Sequence, residues 1–147
     1  MSLVTSSSEL ALWHSLIGEA QHKLHQYFPE EIESYLVFLL LRSTTKTNLT
    51  ISLALEYLHA QNKPDALQSI GDRCLLLCSF YPEYTNRRTL SEADYIEVGR
   101  SAYYSVHDAL FDTLSQEFIK LKEVLRAALP HTQGQLLHFE IPTLLRH

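Results

Sequence analysis

The sequence predicts an all-α protein, a single-domain bundle of about six helices with a central apolar helix. Of the 147 residues, 46% are hydrophobic and 20% charged, and only 4 are Gly and 5 are Pro, which favours helices over disordered or fibrous structure. Apolar residues recur at spacings of three and four, and strand-like alternation is absent. We expect one domain over residues 1–147 because a chain of about 150 residues builds one core. Whether residues 131–147 are ordered stays open.

The first helix is expected at residues 8–28. Ser6 followed by Glu9 is a capping-box pattern. The apolar stripe that follows consists of Leu10, Trp13, Ile17, Ala20, Leu24 and Tyr27. Pro29 lacks a backbone N–H and suits a first helical turn, so it separates this helix from the next.

The second helix is expected at residues 30–43. Glu30, Glu31 and Glu33 lie in its first turn, where the helix dipole favours anions. The segment 35–41 is apolar on every side, which a helix tolerates only when other helices surround it. This helix is therefore predicted to be the central element of the bundle.

Two further helices are expected before a loop at residues 81–89. Asn48 can cap a third helix, whose core stripe would be Ile51, Ala54, Leu55 and Leu58. A fourth begins near Pro64 and runs to about Phe80, and Gly71 permits close approach of another helix. Its inward residues would be Leu67, Ile70, Cys74, Leu77 and Cys78.

The last two helices are expected between Ser91 and Pro130. Ser91, with Asp94 three residues later, can start the fifth helix. A second heptad-like stripe marks the sixth: Phe111, Leu114, Phe118, Leu121, Leu125 and Ala128. No breaker separates these helices, so residues 91–129 could form one long kinked helix. We expect two helices with a tight bend, because Asp108 or Asp112 could cap a second helix.

Charge and cysteine usage bear on partners and compartment. The formal net charge of −5 repels nucleic-acid backbones and anionic lipid. The longest uncharged apolar run is seven residues, whereas roughly 20 are needed to span a bilayer. Cys74 and Cys78 would point in parallel along one helix face, so two reduced thiols are expected. With no secretory pattern at the N-terminus, the sequence predicts a cytoplasmic protein without nucleic-acid or membrane partners.

The sequence contains candidate residues for a metal site and for a catalytic site. His22 and His25 could face one cation, with Glu31 or Glu33 across the turn. Both histidines nevertheless lie about 120° from the apolar stripe, on a solvated flank, so no metal and no cofactor are expected. Cys78 with His107 would need an accessible thiol, and burial makes a thiol inert. Without GxSxG, GxGxxG or GxxxxGK[ST] motifs, no catalytic residue is assigned.

The most distinctive polar residues lie between positions 72 and 104. Asp72 and Arg100 are expected to form an ion pair, because charges on apolar helices are costly unless paired. Tyr95 and Tyr103 would place their hydroxyls beside it. These residues either form a structural network that fixes helix register, or line a pocket in which Asp72, Arg88, Arg100 and Tyr103 recognise a polar ligand or a carboxylate.

A signature runs through the same region: Gly71-Asp72, Phe80-x-Pro82-Glu83, Arg87-Arg88, Tyr95 and Gly99-Arg100-x-Ala102-Tyr103. It resembles a family of bacterial all-helical proteins known only as uncharacterised. The resemblance covers Gly71 to Tyr104, 34 of the 147 residues. It implies a soluble bacterial protein and brings no activity or catalytic role with it.

Two functions are expected. In the first, the bundle acts through protein–protein contacts, with a partner protein or as a homodimer, and not as an enzyme. Its basis is the two heptad-like stripes, one of which could form an intersubunit seam, although both could equally face the chain's own core. The alternative is a small-ligand-binding or catalytic bundle with a pocket at Asp72, Arg88, Arg100 and Tyr103.

Overall fold

The computed structural model describes residues 2–43, 47–48, 53–60, 62–82, 91–128 and 139–140. This part of the chain forms seven helices: α1 (Ser2–Leu24), α2 (Glu30–Arg42), α3 (Leu53–His59), α4 (Pro64–Phe80), α5 (Glu92–Tyr104), α6 (Ala109–Gln116) and α7 (Phe118–Ala128). Two short strands, β1 (Thr47–Asn48) and β2 (Phe139–Glu140), pair in a two-stranded sheet. The prediction of an all-α bundle is confirmed.

The chain divides into two compact units. One contains α1 and α2 with residues 124–128 of α7, and the other contains α3 to α6 with residues 118–123 of α7. The single domain over residues 1–147 stays a prediction. Apart from β2, the tail at residues 131–147 lies outside the described residues.

The turn between α1 and α2 is fixed by a buried glutamine. The Gln21 side chain donates to Glu33 Oε2 at 2.8 Å and accepts from the Phe28 backbone N–H at 2.9 Å. His25 takes a left-handed conformation (φ 55°) just after α1 ends. Pro29 occupies the N-cap of α2 and separates the helices as predicted. The Ser6 cap is wrong, because α1 already begins at Ser2 and an N-cap residue must be non-helical.

Helix α2 is less enclosed than its sequence predicts. It buries Ile32, Leu36, Val37, Leu39 and Leu40. Phe38, in the middle of the apolar run, is nevertheless 51% exposed, and Tyr35 is only half-buried. The expectation that helices surround α2 on every side is therefore wrong, since one of its faces meets solvent.

The third helix also differs from its prediction. Asn48 cannot be its N-cap because Asn48 lies in β1. Leu58, expected in the core, is 63% exposed, while Glu56 and His59 on the same helix line a groove against α4. The side chains of the other predicted stripe residues, at positions 51, 54 and 55, lie outside the described part of the chain.

Local capping signals position the remaining helices. Helix α4 matches its predicted bounds and buries all five of its expected core residues. Ser91 and Asp94 form a complete capping box at α5. Asp108 caps α6 by accepting from the Leu110 backbone N–H, after a bend in which His107 has φ 60°. A break at Glu117 divides the predicted sixth helix into α6 and α7. Residues 83–90 of the expected loop are not among those described.

Candidate functional site

Asp72 and Tyr103 are the two predicted site residues that the structure brings into direct contact. The Tyr103 hydroxyl donates to Asp72 Oδ1 at 2.6 Å, and the bond is buried between α4 and α5. Asp72 is 8% exposed and Tyr103 is fully buried. The Tyr103 ring also packs against Phe111 and Phe118, with centroid distances of 5.8 and 6.0 Å. This hydrogen bond therefore joins two helices inside an aromatic core.

Gly71 makes the approach of Tyr103 to α4 feasible. A Cβ at position 71 would lie 2.5 Å from Cδ1 and 2.9 Å from Cζ of the Tyr103 ring, well inside van der Waals contact. The prediction that Gly71 permits close approach of another helix is confirmed. Because glycine has no side chain, the Tyr103 ring can pack against α4 at this position and reach Asp72.

Arg100 has a different partner from the one predicted. Its Nε donates to the Ser115 carbonyl at 3.1 Å, and the Ser115 hydroxyl donates back to the Arg100 carbonyl at 2.9 Å. No Asp72–Arg100 bridge occurs among the ion pairs joining described residues. Arg100 lies one turn before Tyr103 on α5, so its side chain reaches α6 while Tyr103 occupies the position against Asp72. The predicted ion pair is wrong.

The two remaining predicted site residues are Tyr95 and Arg88. Tyr95 is buried in α5, and Arg88 lies outside the described residues. The contacts that Asp72, Arg100 and Tyr103 make tie α4, α5 and α6 together. Their geometry is that of a polar network that holds helices in register.

Cys74 and Cys78 are buried on α4 and form no disulfide, as predicted. Burial raises the pKa of the Cys74 thiol well above its ordinary value, the nearby Cys78 raises it further, and Arg73 lowers it. Only a thiolate is an effective nucleophile. The position of Cys74 therefore suits packing and not catalysis.

This burial predicts how the thiols react. In the folded protein at neutral pH, a thiol reagent such as Ellman's reagent should modify Cys74 only as fast as the chain unfolds. Above about pH 9 the free energy of unfolding should fall, because the unfolded state releases the Cys74 proton at a lower pH than the folded state does. A Cys74→Ala variant should show a shallower fall over the same pH range. Immediate modification of both thiols in the folded protein would contradict this prediction.

The two histidines considered for a metal site do not form a ligand set. His22 and His25 are exposed, with ring centroids 6.4 Å apart, and His22 Nδ1 lies 3.1 Å from the Tyr27 hydroxyl. Glu33, their proposed partner, is bonded to Gln21. Within the described part of the chain, no group of three or more His, Cys, Asp or Glu side chains could hold a metal ion.

The two heptad-like stripes are largely covered within the single chain. Trp13, Ile17 and Ala20 on α1 are buried, although Leu24 and Tyr27 at the end of that stripe are exposed. On α6 and α7, five of the six stripe residues are buried: Leu114, Phe118, Leu121, Leu125 and Ala128. Neither stripe is therefore open as the intersubunit seam that motivated the homodimer.

An open surface lies instead on α2. Glu31, Tyr35, Phe38 and Arg42 follow one another at spacings of four, three and four, which places them within about 60° of one another around the helix. Phe38 is 51% exposed, and the Arg42 guanidinium lies over the Tyr35 ring, 6.0 Å from its centroid. We call these four residues the outer face of α2. Aromatic residues and arginine are the types enriched in protein interfaces.

A groove of about 350 Å³ lies between α3 and α4. It is lined by Glu56, His59, Ala60, Lys63, Ala66, Ser69, Ile70 and Arg73. Arg73 Nη2 donates to Glu56 Oε1 at 2.7 Å and Arg73 Nε donates to the Ser69 carbonyl at 3.2 Å. Of the predicted pocket residues that the structure describes, Asp72, Arg100 and Tyr103 are absent from this lining.

Sequence reasoning missed the two surfaces for different reasons. The heptad spacing of the outer face of α2 is present in the sequence. The prediction that this helix is covered on every side left no exposed face to expect there. The groove residues on α4 recur every three to four positions from Lys63 to Arg73, a pattern that also fits an ordinary solvated face. Only the position of α3 turns that face into a groove.

Fold and site together define an all-α protein with two open surfaces. Searches of protein-family models, of curated proteins and of solved structures find no match to this chain. The resemblance to the bacterial helical family therefore stays a prediction. No helix of the described residues is long and apolar enough to cross a membrane.

Proposed function

We propose that the protein acts through protein–protein contacts, as a homodimer that forms through the outer face of α2, and not as an enzyme. The observation that carries this proposal is the exposed Phe38 in the middle of an otherwise buried apolar segment. A helix that is apolar all round needs cover on every side. A second protein chain supplies the cover that α2 lacks.

The charges on α2 favour a second copy of the chain as that partner. The outer face is symmetric about the point between Leu36 and Val37. In an antiparallel pair of α2 helices, Glu31 of each copy lies opposite Arg42 of the other, and Tyr35 lies opposite Phe38. A two-fold interface of this kind is self-complementary, as homodimers require.

The expected dimer is of modest affinity. Stable interfaces bury about 1,200–2,000 Å², whereas three helical turns present a smaller surface. We therefore expect a monomer–dimer equilibrium that depends on protein concentration.

We keep the cytoplasm as the proposed compartment because a reducing environment suits the two buried thiols, which form no disulfide.

Charge reversal tests the pairing directly. Analytical ultracentrifugation of the full chain should give a mass that rises toward two chains with concentration. E31R and R42E should each weaken the dimer by about tenfold or more, since each creates two like-charge contacts, together costing about 1–2 kcal/mol. An equimolar mixture of E31R and R42E should restore association as a heterodimer, and so should the double variant E31R/R42E.

The control is E30R, which makes the same charge change in the same turn of α2 but off the outer face. It should dimerise like the unmodified protein, while F38S should not. Circular dichroism confirms that each variant is folded. A strict monomer at every concentration, or an E31R and R42E mixture that stays monomeric, would overturn the proposal.

The alternative ligand pocket at Asp72, Arg88, Arg100 and Tyr103 has weaker support. Asp72 and Tyr103 are buried against each other, and Arg100 is bonded to Ser115. These contacts favour a structural role for those three residues.

A further inference from the structure

The groove between α3 and α4 combines an apolar floor with charged walls. Ala60 and Ile70 are almost completely buried beneath it, and Lys63, Arg73 and Glu56 line its sides. Its volume of about 350 Å³ lies at the small end of the range of ligand sites, which are typically about 300–1,000 Å³. Five of its eight described lining residues are polar or charged, so polar contacts dominate what it can bind: Glu56, His59, Lys63, Ser69 and Arg73.

The charge balance of the groove favours an anion. Among the described residues, its lining contains two cations, Lys63 and Arg73, and one carboxylate, that of Glu56, whereas the whole chain carries a formal net charge of −5. None of the ion pairs between described residues uses Lys63. The groove is thus locally basic on an acidic protein.

Two hydrogen bonds fix the position of the Arg73 side chain in the groove. Its side chain is 17% exposed and is fixed at two points, by Glu56 and by the Ser69 carbonyl. A guanidinium has five N–H donors in a planar fork that matches a carboxylate, and these two bonds leave others to face a ligand. Glu56 is more exposed, at 37%, so a ligand's carboxylate can compete with it at modest cost.

We infer that this groove is a binding site for a small carboxylate with an apolar tail. The carboxylate binds Arg73 and Lys63, and the tail lies along Ala66 and the aliphatic stems of those two side chains. This site is separate from the outer face of α2 and does not depend on the proposed dimer.

Three probes with the same number of carbon atoms and different head groups test the inference: hexanoate, hexan-1-ol and hexylammonium. Each is titrated into the full ¹⁵N-labelled chain, and amide chemical shifts are followed by NMR. Hexanoate should cause saturable shifts in residues 56–73 with a Kd of about 1–10 mM, as expected for so few atoms. Hexan-1-ol and hexylammonium should bind at least about fivefold more weakly, since they lack the charge-assisted hydrogen bonds.

Variants separate a specific site from general apolar binding. K63Q and R73Q should each weaken hexanoate binding by about fivefold, whereas E56Q should strengthen it by removing the competing carboxylate. K120Q removes a cation that pairs with Glu117 on α7 and should change nothing. Hexylammonium binding as tight as hexanoate, no saturable shifts with hexanoate up to about 50 mM, or equal effects of K63Q and K120Q would overturn the inference.

Discussion

Replacing Gly99 by alanine is expected to lower the free energy of unfolding by about 3 kcal/mol, although alanine is the better helix former. A Cβ at position 99 would lie 2.8 Å from the Cβ of Cys74 and 2.7 Å from two ring atoms of Phe118. The Cys74 Cβ is fixed to the backbone of α4 and cannot rotate away, and both side chains are fully buried. The methyl group therefore forces α4 and α5 apart.

Gly18→Ala is the matched control for this prediction. Gly18 also lies inside a helix, but a Cβ there would meet nothing within 4 Å, so the variant should be more stable by about 0.5–1 kcal/mol. Urea unfolding followed by circular dichroism measures both variants. The fluorescence of Trp13 is insufficient alone because Trp13 and Gly99 belong to different compact units. Equal stability of the two variants would contradict the close approach at Gly99.

Local signals predicted the helix boundaries well where a few neighbouring residues determine them. Pro29, Ser91 and Asp108 all act where the sequence indicates, because a missing N–H or a capping oxygen acts within one turn. Ser6 fails for the complementary reason. Its capping pattern is intact, yet the backbone is already helical before it.

Exposure and partner choice were predicted less well because they depend on which faces meet. Phe38 and Leu58 follow apolar patterns and are nevertheless exposed, because spacing along a helix does not determine which of its faces another element covers. Asp72 was correctly identified as a buried polar group in need of a partner. The identity of that partner depends on the rotation of α5 about its axis, which presents Tyr103 to Asp72 and turns Arg100 toward Ser115.

Removing the Tyr103 hydroxyl is the second change with a large expected effect. Tyr103→Phe keeps the ring in its aromatic contacts but takes a donor from a buried carboxylate, which should cost about 2 kcal/mol of unfolding free energy. Tyr104→Phe is the control, since Tyr104 is the next residue on α5 and its side chain is exposed. Urea unfolding should place Tyr104→Phe within about 0.5 kcal/mol of the unmodified protein.

A double-mutant cycle with Asp72→Asn decides what the bond does. Asparagine keeps an acceptor oxygen at the same position but removes the charge, so the two substitutions should be non-additive by about 1 kcal/mol. Such coupling would assign Asp72 and Tyr103 to holding α4 against α5, the register role that their burial favours. Additive effects would contradict that role. So would a Tyr103→Phe variant as stable as Tyr104→Phe, because the loss of the hydrogen bond to the buried Asp72 carboxylate would then have no effect on stability.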